Sequence, residues 1–592
     1  MRTKKIILPL IAALIILGGA ACIFFLKSNI YGGSDMKSID VTEYGIIPGS
    51  DECISSKLQR LINRLPDGCE VKFPAGSYYL SKAVDVRKKQ GLTISGDGAV
   101  IVTHFAPAGE PSENNDAFDF VECDDLVFTG FHFTTDNPVN CTGKVIAVDP
   151  AAHTYDVRIN DEFPITGMEH FYGTDTFDSE GMPDYVIETY ETIKTVDVTN
   201  ADGKRVKKYV GTDYELIGEQ TIRVTVDSWR DISRLKVGHD ILFRYIIYGN
   251  RLFSFTSCSR VTLSHIEIER CASMGAVVNP RSSDFTFEDF NIRTPGSSGA
   301  LYAANADGIH ILGLSGYLHM KDCNFDGLGD DALNIHSKAY EIKSIDGDKL
   351  TVISRDRSKN EVKAGALWAS EDDIIRVYDP ATFLEKGSFR IVSVNGGNAK
   401  IADITGNIAV GDILANDSFY ASVHIENCSV SNTRARGLLL QSHDMLIENC
   451  RFYGLALPGI LIAPDIRVWY EVGPSQNTEI RNCTFEKCAM NNSGANLGAI
   501  TFKPSHDGGV SDYPAGVHKD IYIHDNIFKG CGTSGICVSA SSDVRIESNR
   551  FESNRRNPNA PDSDKDIVVY NSQEVALADN VSDRTVSMAG QE

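Results

Sequence analysis

Three aspartates are the residues of this sequence best placed for acid–base chemistry. Asp307 precedes a glycine, and the adjacent pair Asp330 and Asp331 begins 23 residues later. Carboxyl groups held close together cannot all ionise comfortably, so one pKa among them should rise. Glycoside hydrolysis needs such an acid, because one carboxyl protonates the leaving oxygen while another activates water. The chemistry therefore depends on whether the fold brings the three acids together.

A recurring phrase indicates the fold that positions them. Several neighbouring copies lie 22 to 24 residues apart, and larger gaps equal one turn plus an insertion. Each copy alternates apolar and polar residues as a short strand does. The phrases are "FTGFHF" (128–133), "LSHIEI" (263–268), "FEDFNI" (287–292), "MKDCNF" (320–325), "IENCSV" (425–430), "IENCRF" (447–452), "IRNCTF" (480–485), "IHDNIF" (523–528) and "IESNRF" (546–551). A strand in every repeat, with corners rich in Gly and Asn, predicts an all-β fold, a right-handed parallel β-helix.

The fourth position of the phrase predicts a stacked interior row. Cys428, Cys450 and Cys483 occupy it in succession, followed by Asn526 and Asn549, whose amides can form a ladder. Exported proteins commonly form disulfides, but this spacing favours buried free thiols among the 14 cysteines.

The N-terminal part of the repeat region predicts a cap. The segments "SIDVTEYG" (38–45) and "SDECISSKLQRLINRLPDG" (50–68) together predict a capping unit, with a helix capped by Ser50. Its apolar face would be Ile54, Leu58, Leu61, Ile62 and Leu65. Such a helix would cover the open edge of the coil, which otherwise invites aggregation.

Two segments interrupt the repeat and open with hairpin-like patterns, which predicts two inserted small β-barrel domains. The predicted division of the chain is 1–37 anchor or signal segment with linker, 38–138 first part of the β-helix with its capping helix, 139–248 first barrel, 249–337 β-helix with the aspartates, 338–418 second barrel, and 419–592 last part of the β-helix. The second insert begins directly after the acid pair, and inserted loops often carry function.

With a turn of about 23 residues, Asp307 and Asp330 occupy equivalent places on consecutive turns, and Asp331 joins them. Stacked rungs would bring their carboxyls to roughly 4.8 Å. Asp-Gly is also a common turn dipeptide, and Asp326-Gly327 is expected to be only that. Clustered oxygens also suit calcium, but the Gly-Gly-x-Gly-x-Asp repeat of calcium-binding β-helices is absent, as is any paired CxxC spacing. We expect neither a metal nor a cofactor.

The phrases around the acids resemble a known family. "ADGIH…GLGDDALNIH", "NTRARGLLLQS" (432–442), "IENCRFYGLALPGILIAPDIRVWYEVGP" (447–474) and the two inserts are similar to glycoside hydrolase family 110, inverting α-galactosidases with a parallel β-helix. The resemblance covers nearly everything after residue 38. It implies exo-acting release of terminal α-1,3-linked galactose from blood group B-type and linear glycans. It also implies that Asp330 is the general acid and that Asp307 and Asp331 act on water as bases.

Other functions remain open at this point. Polygalacturonases share the fold and a similar aspartate trio, but their Gly-His-Gly and Arg-Ile-Lys motifs are absent here, which favours a neutral sugar. Polysaccharide lyases need an Arg or Lys base poised at an acidic sugar, which nothing here specifies. A non-catalytic carbohydrate-binding β-helix is a third option. Inverting enzymes usually keep acid and base about 6.5–9.5 Å apart, a separation that directly stacked carboxyls need not reach.

Nine further residues are predicted to bind substrate. They are His310, Asn334, His336, Arg434, Arg436, Asp465, Trp469, Tyr470 and Glu471. The two arginines could bond sugar hydroxyls or hold the aspartates as ion pairs. The Trp-Tyr-Glu run interrupts two strands, where an aromatic ring could stack on a sugar or simply pack. Asp465 could bind hydroxyls or cap a turn, and each histidine could be a satisfied polar group beside its strand.

The net charge limits the classes of partner, and the N-terminal stretch indicates the location of the protein. A net charge of −23 argues against nucleic acid and anionic membrane surfaces. The uncharged stretch from Ile6 to Leu26 follows Arg2, Lys4 and Lys5 and is long enough to span a bilayer. A cleaved signal peptide and a lipoprotein site at Cys22 are the alternatives. All three predict an exported protein, either membrane-anchored at the cell surface or secreted. The expected partners are galactose-terminated glycans, and a homodimer is left open.

Overall fold

The structure is a computed structural model. It describes residues 37–104, 116–136, 139–163, 165, 171–188, 194–199, 205–210, 212, 214–246, 249–296, 299–355, 360–363, 367–466, 468–490, 497–504, 513–554 and 565–583. The predicted membrane or signal segment lies outside these residues. None of the helices in the described part of the chain combines the length and apolar character needed to cross a bilayer.

Most of the chain winds into a parallel β-helix with two long sheets. The larger sheet contains 22 strands. They are Lys37–Asp40, Ser50–Cys53, Cys69–Lys72, Gly76–Leu80, Thr93–Thr103, Asp124–Thr135, Ser259–Ile268, Ser282–Arg293, Leu314–Lys321, Asn324–Leu328, Ser422–Glu426, Ser429–Thr433, His443–Glu448, Arg451–Tyr453, Gln476–Arg481, Thr484–Glu486, His518–His524, Ile527–Lys529, Ser541–Glu547, Arg550–Glu552, Gln573–Ala578 and Val581–Ser582.

The second sheet of the coil contains 12 strands and carries the predicted site. Eleven pair in parallel: Val84–Arg87, Phe118–Val121, Phe253–Thr256, Ala276–Val278, Ile309–Leu312, Leu333–Lys338, Leu438–Leu440, Ile460–Ile462, Gly498–Phe502, Ser534–Ser539 and Ile567–Tyr570. The twelfth, Glu471–Val472, lies antiparallel to the end of Leu333–Lys338. This sheet is nearly continuous in apolar residues because one side faces the interior of the coil and the other is largely covered.

The recurring phrases form strands, but from residue 320 onward each phrase makes two strands rather than one. Strand Ser422–Glu426 ends before Asn427 and strand Ser429–Thr433 follows. Asn427 adopts a left-handed backbone with φ of 56°, and Asn449 and Asn482 do the same at equivalent corners. Asn tolerates this conformation better than other side-chain-bearing residues, so the phrase bends where a single strand was predicted.

The stacked interior row is confirmed. The Cys450 backbone N–H lies 3.4 Å from Cys483 Sγ, and the Cys483 N–H donates to Asn526 Oδ1 at 2.9 Å. Asn526 then donates through Nδ2 to Asn549 Oδ1 at 3.0 Å, and Asn549 continues the ladder to Asn580 at 3.0 Å. Every cysteine in the described residues is a free thiol, and all of them except Cys53 are buried.

The register of the coil corrects the predicted stacking of the acids. Ile309 pairs with Leu333 and Ile311 with Ile335, so one turn here is 24 residues rather than 23. Asp307 therefore faces Asp331, and the Asp331 backbone N–H donates to Asp307 Oδ1 at 3.1 Å. Asp330 lies one residue earlier, to the side of this pair.

The cap begins later than predicted. Ser50–Cys53 is a strand of the larger sheet, and the α-helix runs over Ser55–Ile62 with Ile54 at its N-cap position. Residues Ser50–Cys53, which were predicted to begin the helix, instead pair with strand Gly76–Leu80. The predicted apolar face is buried in the main core. Two short 3-10 helices complete the helical content of the described chain, Val41–Tyr44 and Asp417–Phe419.

Each insert is an antiparallel sheet with its own hydrophobic core. The barrel prediction is wrong for the first insert, because the edge strands of its described sheet do not pair with each other. In the first insert, the seven-stranded sheet contains Asn140–Asp149, Thr154–Ile159, Gly173–Phe177, Pro183–Glu188, Tyr214–Gly218, Thr221–Thr225 and Asp240–Arg244, beside a separate hairpin of Lys194–Thr199 and Arg205–Val210. In the second insert, it contains Tyr340–Asp346, Lys349–Arg355, Glu361–Lys363, Ile374–Tyr378, Glu385–Asn395, Asn398–Gly406 and Ile413–Asn416. Pairing of Tyr340–Asp346 with Lys349–Arg355 closes six of these into a barrel.

Candidate active site

The three aspartates lie on loops that enter adjacent strands of the 12-stranded sheet. Asp307 precedes strand Ile309–Leu312, and Asp330 and Asp331 precede Leu333–Lys338. Because the strands are parallel and in register, their entering loops meet at one edge of the sheet. One oxygen from each carboxyl lies within 4.8 Å of one from each of the others. The predicted convergence of the acids on one patch is therefore present.

Asp331 is held by Arg436 from the next turn of the coil. Asp331 is 1% exposed. Arg436 donates from Nε to Oδ1 at 2.7 Å and from Nη2 to Oδ2 at 2.7 Å, and its backbone N–H also reaches Oδ1 at 3.0 Å. A bidentate guanidinium of this kind fixes both the position and the orientation of a carboxylate. Of the two roles predicted for Arg436, the structure shows an ion pair with an aspartate.

Asp307 is held by a histidine. It is 5% exposed, and His310 Nδ1 lies 2.6 Å from its Oδ2. His310 Nε2 lies 3.3 Å from His336 Nε2, and His336 Nδ1 lies 3.0 Å from the carbonyl oxygen of Ser337. Only a protonated nitrogen can donate to a carbonyl, so a neutral His336 must accept at Nε2. His310 then donates from both of its nitrogens, which makes it an imidazolium paired with Asp307.

The pKa shifts of the two histidines agree with this assignment. Burial opposes the charge on His310, but the hydrogen bond and charge of Asp307, with smaller contributions from Glu471 and Asp331, raise its pKa overall. Burial is also the largest influence on His336 and lowers the pKa of that ring. The chain of contacts therefore places a fixed positive charge beside Asp307.

Asp330 is the accessible member of the trio. Its side chain is 26% exposed. Arg434 Nη2 lies 3.3 Å from its Oδ2, and Arg436 Nη2 lies 3.9 Å from its Oδ1. By contrast, both oxygens of Asp307 and both oxygens of Asp331 already accept hydrogen bonds. Asp330 is consequently the carboxyl best placed to present a proton to a molecule arriving from solvent.

The cluster retains a proton near neutral pH. Burial raises the pKa of Asp331 to about 7; Arg436 opposes this shift, while the charges of Asp330 and Asp307 add to it. Burial likewise raises the pKa of Asp307, in spite of its hydrogen bond with His310. Acids this close share their protons as a group. The arrangement can therefore supply one proton and accept another, as the spacing of the acids suggested.

The first insert contributes two residues that sequence reasoning missed. Asp175, from strand Gly173–Phe177, lies 3.8 Å from Arg434 Nε through its Oδ1 and 2.9 Å from Arg244 Nε through its Oδ2. Asp175 and Arg244 are both buried. Arg244 also donates to the carbonyl oxygen of Asn305 at 3.2 Å. Neither residue stands in a repeat phrase, so no local signal marked them.

Asp465 and Glu471 lie at the two ends of a loop, and Glu471 begins the short strand Glu471–Val472. Glu471 Oε1 is 3.6 Å from His336 Nε2, and Gln441 Nε2 donates to Glu471 Oε2 at 3.3 Å. The backbones of Asp465 and Glu471 form an antiparallel bridge. The Asp465 side chain accepts from the Val468 N–H at 2.8 Å, which is the turn-capping role that the sequence left open.

The two predicted aromatic residues of this loop have different surroundings. Trp469 is 46% exposed, whereas Tyr470 is buried in a hydrophobic cluster with Ile466 and Val472. Tyr470 therefore packs beneath the loop, and Trp469 is the aromatic ring that solvent can reach. Asn334 is buried next to His310 in the register, and its Oδ1 has no hydrogen-bond partner. An unpartnered buried oxygen of this kind suits a substrate hydroxyl.

The trio is poorly suited to hold a cation, although its oxygens are close enough to do so. Three carboxylates resemble a calcium ligand set. In this site, however, the carboxylates Asp175, Asp307, Asp330 and Asp331 face the cations Arg244, Arg434, Arg436 and His310. The network is balanced without a metal ion, so a divalent cation would add uncompensated charge.

Comparison with known proteins bears on this site. A protein named alpha-1,3-galactosidase A from Shewanella woodyi is 23% identical over 555 residues, covering 87% of this chain and 86% of the relative. A protein of the same name from Peterkaempfera griseoplana is 24% identical, covering 87% of this chain and 76% of the relative. The chain is similar to these two proteins over most of its length. The resemblance expected from the phrases around the aspartates is thereby confirmed.

The relationship supports a glycoside hydrolase built on a right-handed parallel β-helix. The family model of the right-handed beta helix region matches residues 411–586. Among solved structures, a family 28 exopolygalacturonase from Yersinia enterocolitica aligns with 95% of this chain and 80% of its own, at 11% identity and a TM-score of 0.41. That likeness is too distant to inform specificity, whereas the alpha-1,3-galactosidases span nearly the whole chain.

Proposed function

We propose that this protein is an exo-acting glycoside hydrolase that releases terminal α-1,3-linked galactose from glycans with inversion at the anomeric carbon. One observation supports it most: three carboxyls converge on one patch, two buried and fully hydrogen-bonded, the third open to solvent. The alpha-1,3-galactosidase names of its relatives supply the proposed substrate class.

In the proposed mechanism, Asp330 donates its proton to the glycosidic oxygen as the bond to the anomeric carbon breaks. Asp307 and Asp331 accept a proton from the water that attacks the opposite face of the sugar. Arg436 orients Asp331 and His310 orients Asp307, since each donates directly to its partner. The products are galactose and a glycan with a free hydroxyl, so atoms and charge balance.

The proposal of inversion rests on the different hydrogen bonding of the three acids. Their nearest oxygens lie within 4.8 Å, which is shorter than the separation of about 6.5–9.5 Å usual for an inverting pair. A retaining mechanism needs one carboxylate free to attack the sugar. Both candidates for that role, Asp307 and Asp331, are tied to donors through both oxygens, which favours holding a water molecule over forming a covalent bond.

A neutral terminal sugar also fits the charges around the site. Arg434 and Arg436 are engaged by Asp330, Asp331 and Asp175. They are therefore not free to read a substrate carboxylate, as a polygalacturonase-like enzyme would require. Asn334, Trp469 and Glu471 remain as the proposed contacts to sugar hydroxyls and to a sugar face.

The test is galactose release from linear and fucosylated α-1,3-galactosides, with polygalacturonate alongside. Asp330→Asn should lower kcat by about 10²–10⁴-fold, whereas the matched variant Asp326→Asn should retain activity. Asp326 lies four residues earlier and holds Ser431 across the turn at 2.9 Å. Proton NMR should show β-galactose first; initial α-galactose contradicts inversion.

Other products would point to the competing functions. Shortening of polygalacturonate without galactose release would indicate a polygalacturonase-like enzyme. Binding of α-1,3-galactosides that survives Asp330→Asn, with no hydrolysis by the wild type, would indicate a carbohydrate-binding protein. Release of oligosaccharides rather than galactose would contradict exo action.

We also propose that the chain is exported and works at the cell surface or outside it, with residues 6–26 as its anchor or signal. Fractionation of cells that express the full chain, compared with a chain lacking residues 1–37, tests this. Equal recovery of both forms in the cytoplasm would contradict it.

A further inference from the structure

A cluster of two histidines and a glutamate lies on the other long sheet, apart from the acids. Strands Leu314–Lys321 and Ser422–Glu426 are adjacent there, and their register pairs His319 with His424. The imidazole rings stack with centroids 5.0 Å apart and planes inclined by 8°. Although the two strands are neighbours in space, the whole second insert separates them in sequence.

Glu426 completes the cluster from the same face as His424. Its Oε1 lies 3.1 Å from His319 Nε2. One ligand atom from each of the three side chains lies within 4.8 Å of those of the other two. All three side chains are partly exposed, so an ion from solvent can reach them.

The donor set is that of a borderline transition metal. Two imidazole nitrogens and one carboxylate oxygen are typical of Zn²⁺, whereas calcium and magnesium prefer oxygen alone. Zinc bonds of about 2.0–2.1 Å in tetrahedral geometry place ligands roughly 3.4 Å apart, close to the observed separation of His319 and Glu426. A tilt of the two stacked rings brings in the second nitrogen and leaves the fourth position for water.

The neighbours of the cluster allow this rearrangement. His424 Nε2 now lies 3.0 Å from Glu448 Oε1. Glu448 also accepts from Arg481 at 2.9 Å, so it keeps a cationic partner when His424 turns towards a metal. No buried charge is left unpaired by the change.

We propose that His319, His424 and Glu426 form a Zn²⁺ site that joins the coil across the base of the second insert. Strand Leu314–Lys321, which precedes the insert, and strand Ser422–Glu426, which resumes the coil after it, supply one histidine each. A metal bound to both closes the long intervening segment and so favours the folded coil, as a cross-link between distant residues does. The site stands apart from the catalytic acids and does not depend on the proposed hydrolase activity.

The test is isothermal titration of metal-stripped full-length protein with Zn²⁺, accompanied by thermal unfolding with and without the ion. We expect binding of one Zn²⁺ and a rise in Tm. Replacing a ligand, as in His319→Gln or His424→Gln, should weaken binding by at least about tenfold.

Two matched variants keep the result interpretable. His524→Gln removes a comparable histidine on the same sheet, 3.1 Å from Glu479 but stacked on Tyr522 rather than on a second histidine. It should leave Zn²⁺ affinity unchanged, as should Asp330→Asn in the acid trio.

Equal Zn²⁺ affinity in the wild type and in the double variant His319→Gln/His424→Gln would overturn the proposal. So would a loss of affinity in His524→Gln as large as that in the single ligand variants. Tm measured without zinc shows whether each glutamine variant is folded. Galactose release from the same preparations separates this outcome from failure of the proposed function.

Discussion

The two inserts support the candidate site by different physical means. The first insert supplies charged side chains to it: Arg244 pairs with Asp175, Asp175 lies near Arg434, and Arg434 contacts Asp330. The second insert sends none of its described charged side chains to the acid trio. Instead, its Tyr378 and Phe383 share a hydrophobic cluster with Tyr470, beneath the loop that carries Trp469 and Glu471.

The attachment of each insert explains the difference. The first insert lies against the loop that leads to Asp307, with Asn140 donating to Asn305 at 2.8 Å and Thr142 to Gly299 at 2.6 Å. The second insert closes into a barrel, and its Tyr378 and Phe383 pack in an apolar cluster with Tyr470 of the coil loop. The charged side chains of the first insert alter the electrostatic environment of the acids, whereas the apolar side chains of the second insert position the loop that carries Trp469. The first insert should therefore control catalysis and the second substrate binding.

The largest effect is expected from Asp175→Asn. Removing this charge leaves Arg244 buried without its carboxylate, which should cost about 3–5 kcal/mol of stability. The shifted Arg434 should misplace Asp330 and lower kcat by about 100-fold. Asp412→Asn is the matched change in the second insert, where buried Asp412 pairs with Lys386 at 2.7 Å. It should lower Tm and leave kcat unchanged; equal losses of kcat would erase the distinction between the inserts.

The pH dependence should give the next largest effect. Because the cluster retains a proton up to about pH 7 through Asp331, kcat/KM should fall about tenfold per unit above that pH as the proton is lost. Asp175→Asn adds unbalanced positive charge, which favours ionised carboxyls, so its alkaline limb should lie at lower pH. Asp412→Asn should keep the wild-type profile. An alkaline limb that stays in place in Asp175→Asn would contradict the electrostatic link.

Phe383→Ala tests support by apolar packing. A large-to-small change in a buried cluster should cost about 3–5 kcal/mol. It should also raise KM for the galactoside, because the loop carrying Trp469 loses packing beneath it. Phe389→Ala is the matched change inside the barrel core, away from that cluster. It should lower Tm similarly with KM unchanged, and parallel KM effects in both variants would show that the barrel acts only through overall stability.

The smallest effect is expected from Trp469→Ala. Loss of an exposed ring that stacks on a sugar should cost about 0.5–1.5 kcal/mol, a rise in KM of roughly 2- to 12-fold with kcat retained. Trp229 is an exposed tryptophan on the first insert and serves as the matched control. Trp229→Ala should bind and cleave as the wild type does. An unchanged KM for Trp469→Ala would remove this residue from the proposed substrate contacts.

The coil and its interior were predictable because the repeat is a local property. Strand alternation recurs from turn to turn, Cys450, Cys483, Asn526 and Asn549 stack on successive turns, and each turn packs mainly on its neighbours. The exact register was not predictable, because turns of the coil differ in length by single residues. Asp307 and Asp330 are 23 residues apart, whereas the turn that contains them has 24 residues. That single residue decides that Asp307 faces Asp331.

The acids were recognisable from the sequence, but their division of labour was not. Residue type and spacing identified Asp307, Asp330 and Asp331 as a cluster, as well as the arginines and histidines around them. Burial and hydrogen bonding, which follow from the assembled coil, separate two anchored acids from one exposed acid. They likewise separate the exposed Trp469 from the buried Tyr470.

The sequence by itself determined that this chain is a coil of short strands with three carboxyls on neighbouring turns, because the repeat period and the residue types are visible in short stretches of the chain. Only the tertiary structure decided that Asp175 and Arg244, more than 60 residues before Asp307 in the chain, complete the charge balance of the site. Contacts of this kind depend on how an insert docks on the coil, which is set by long-range packing and leaves no local pattern.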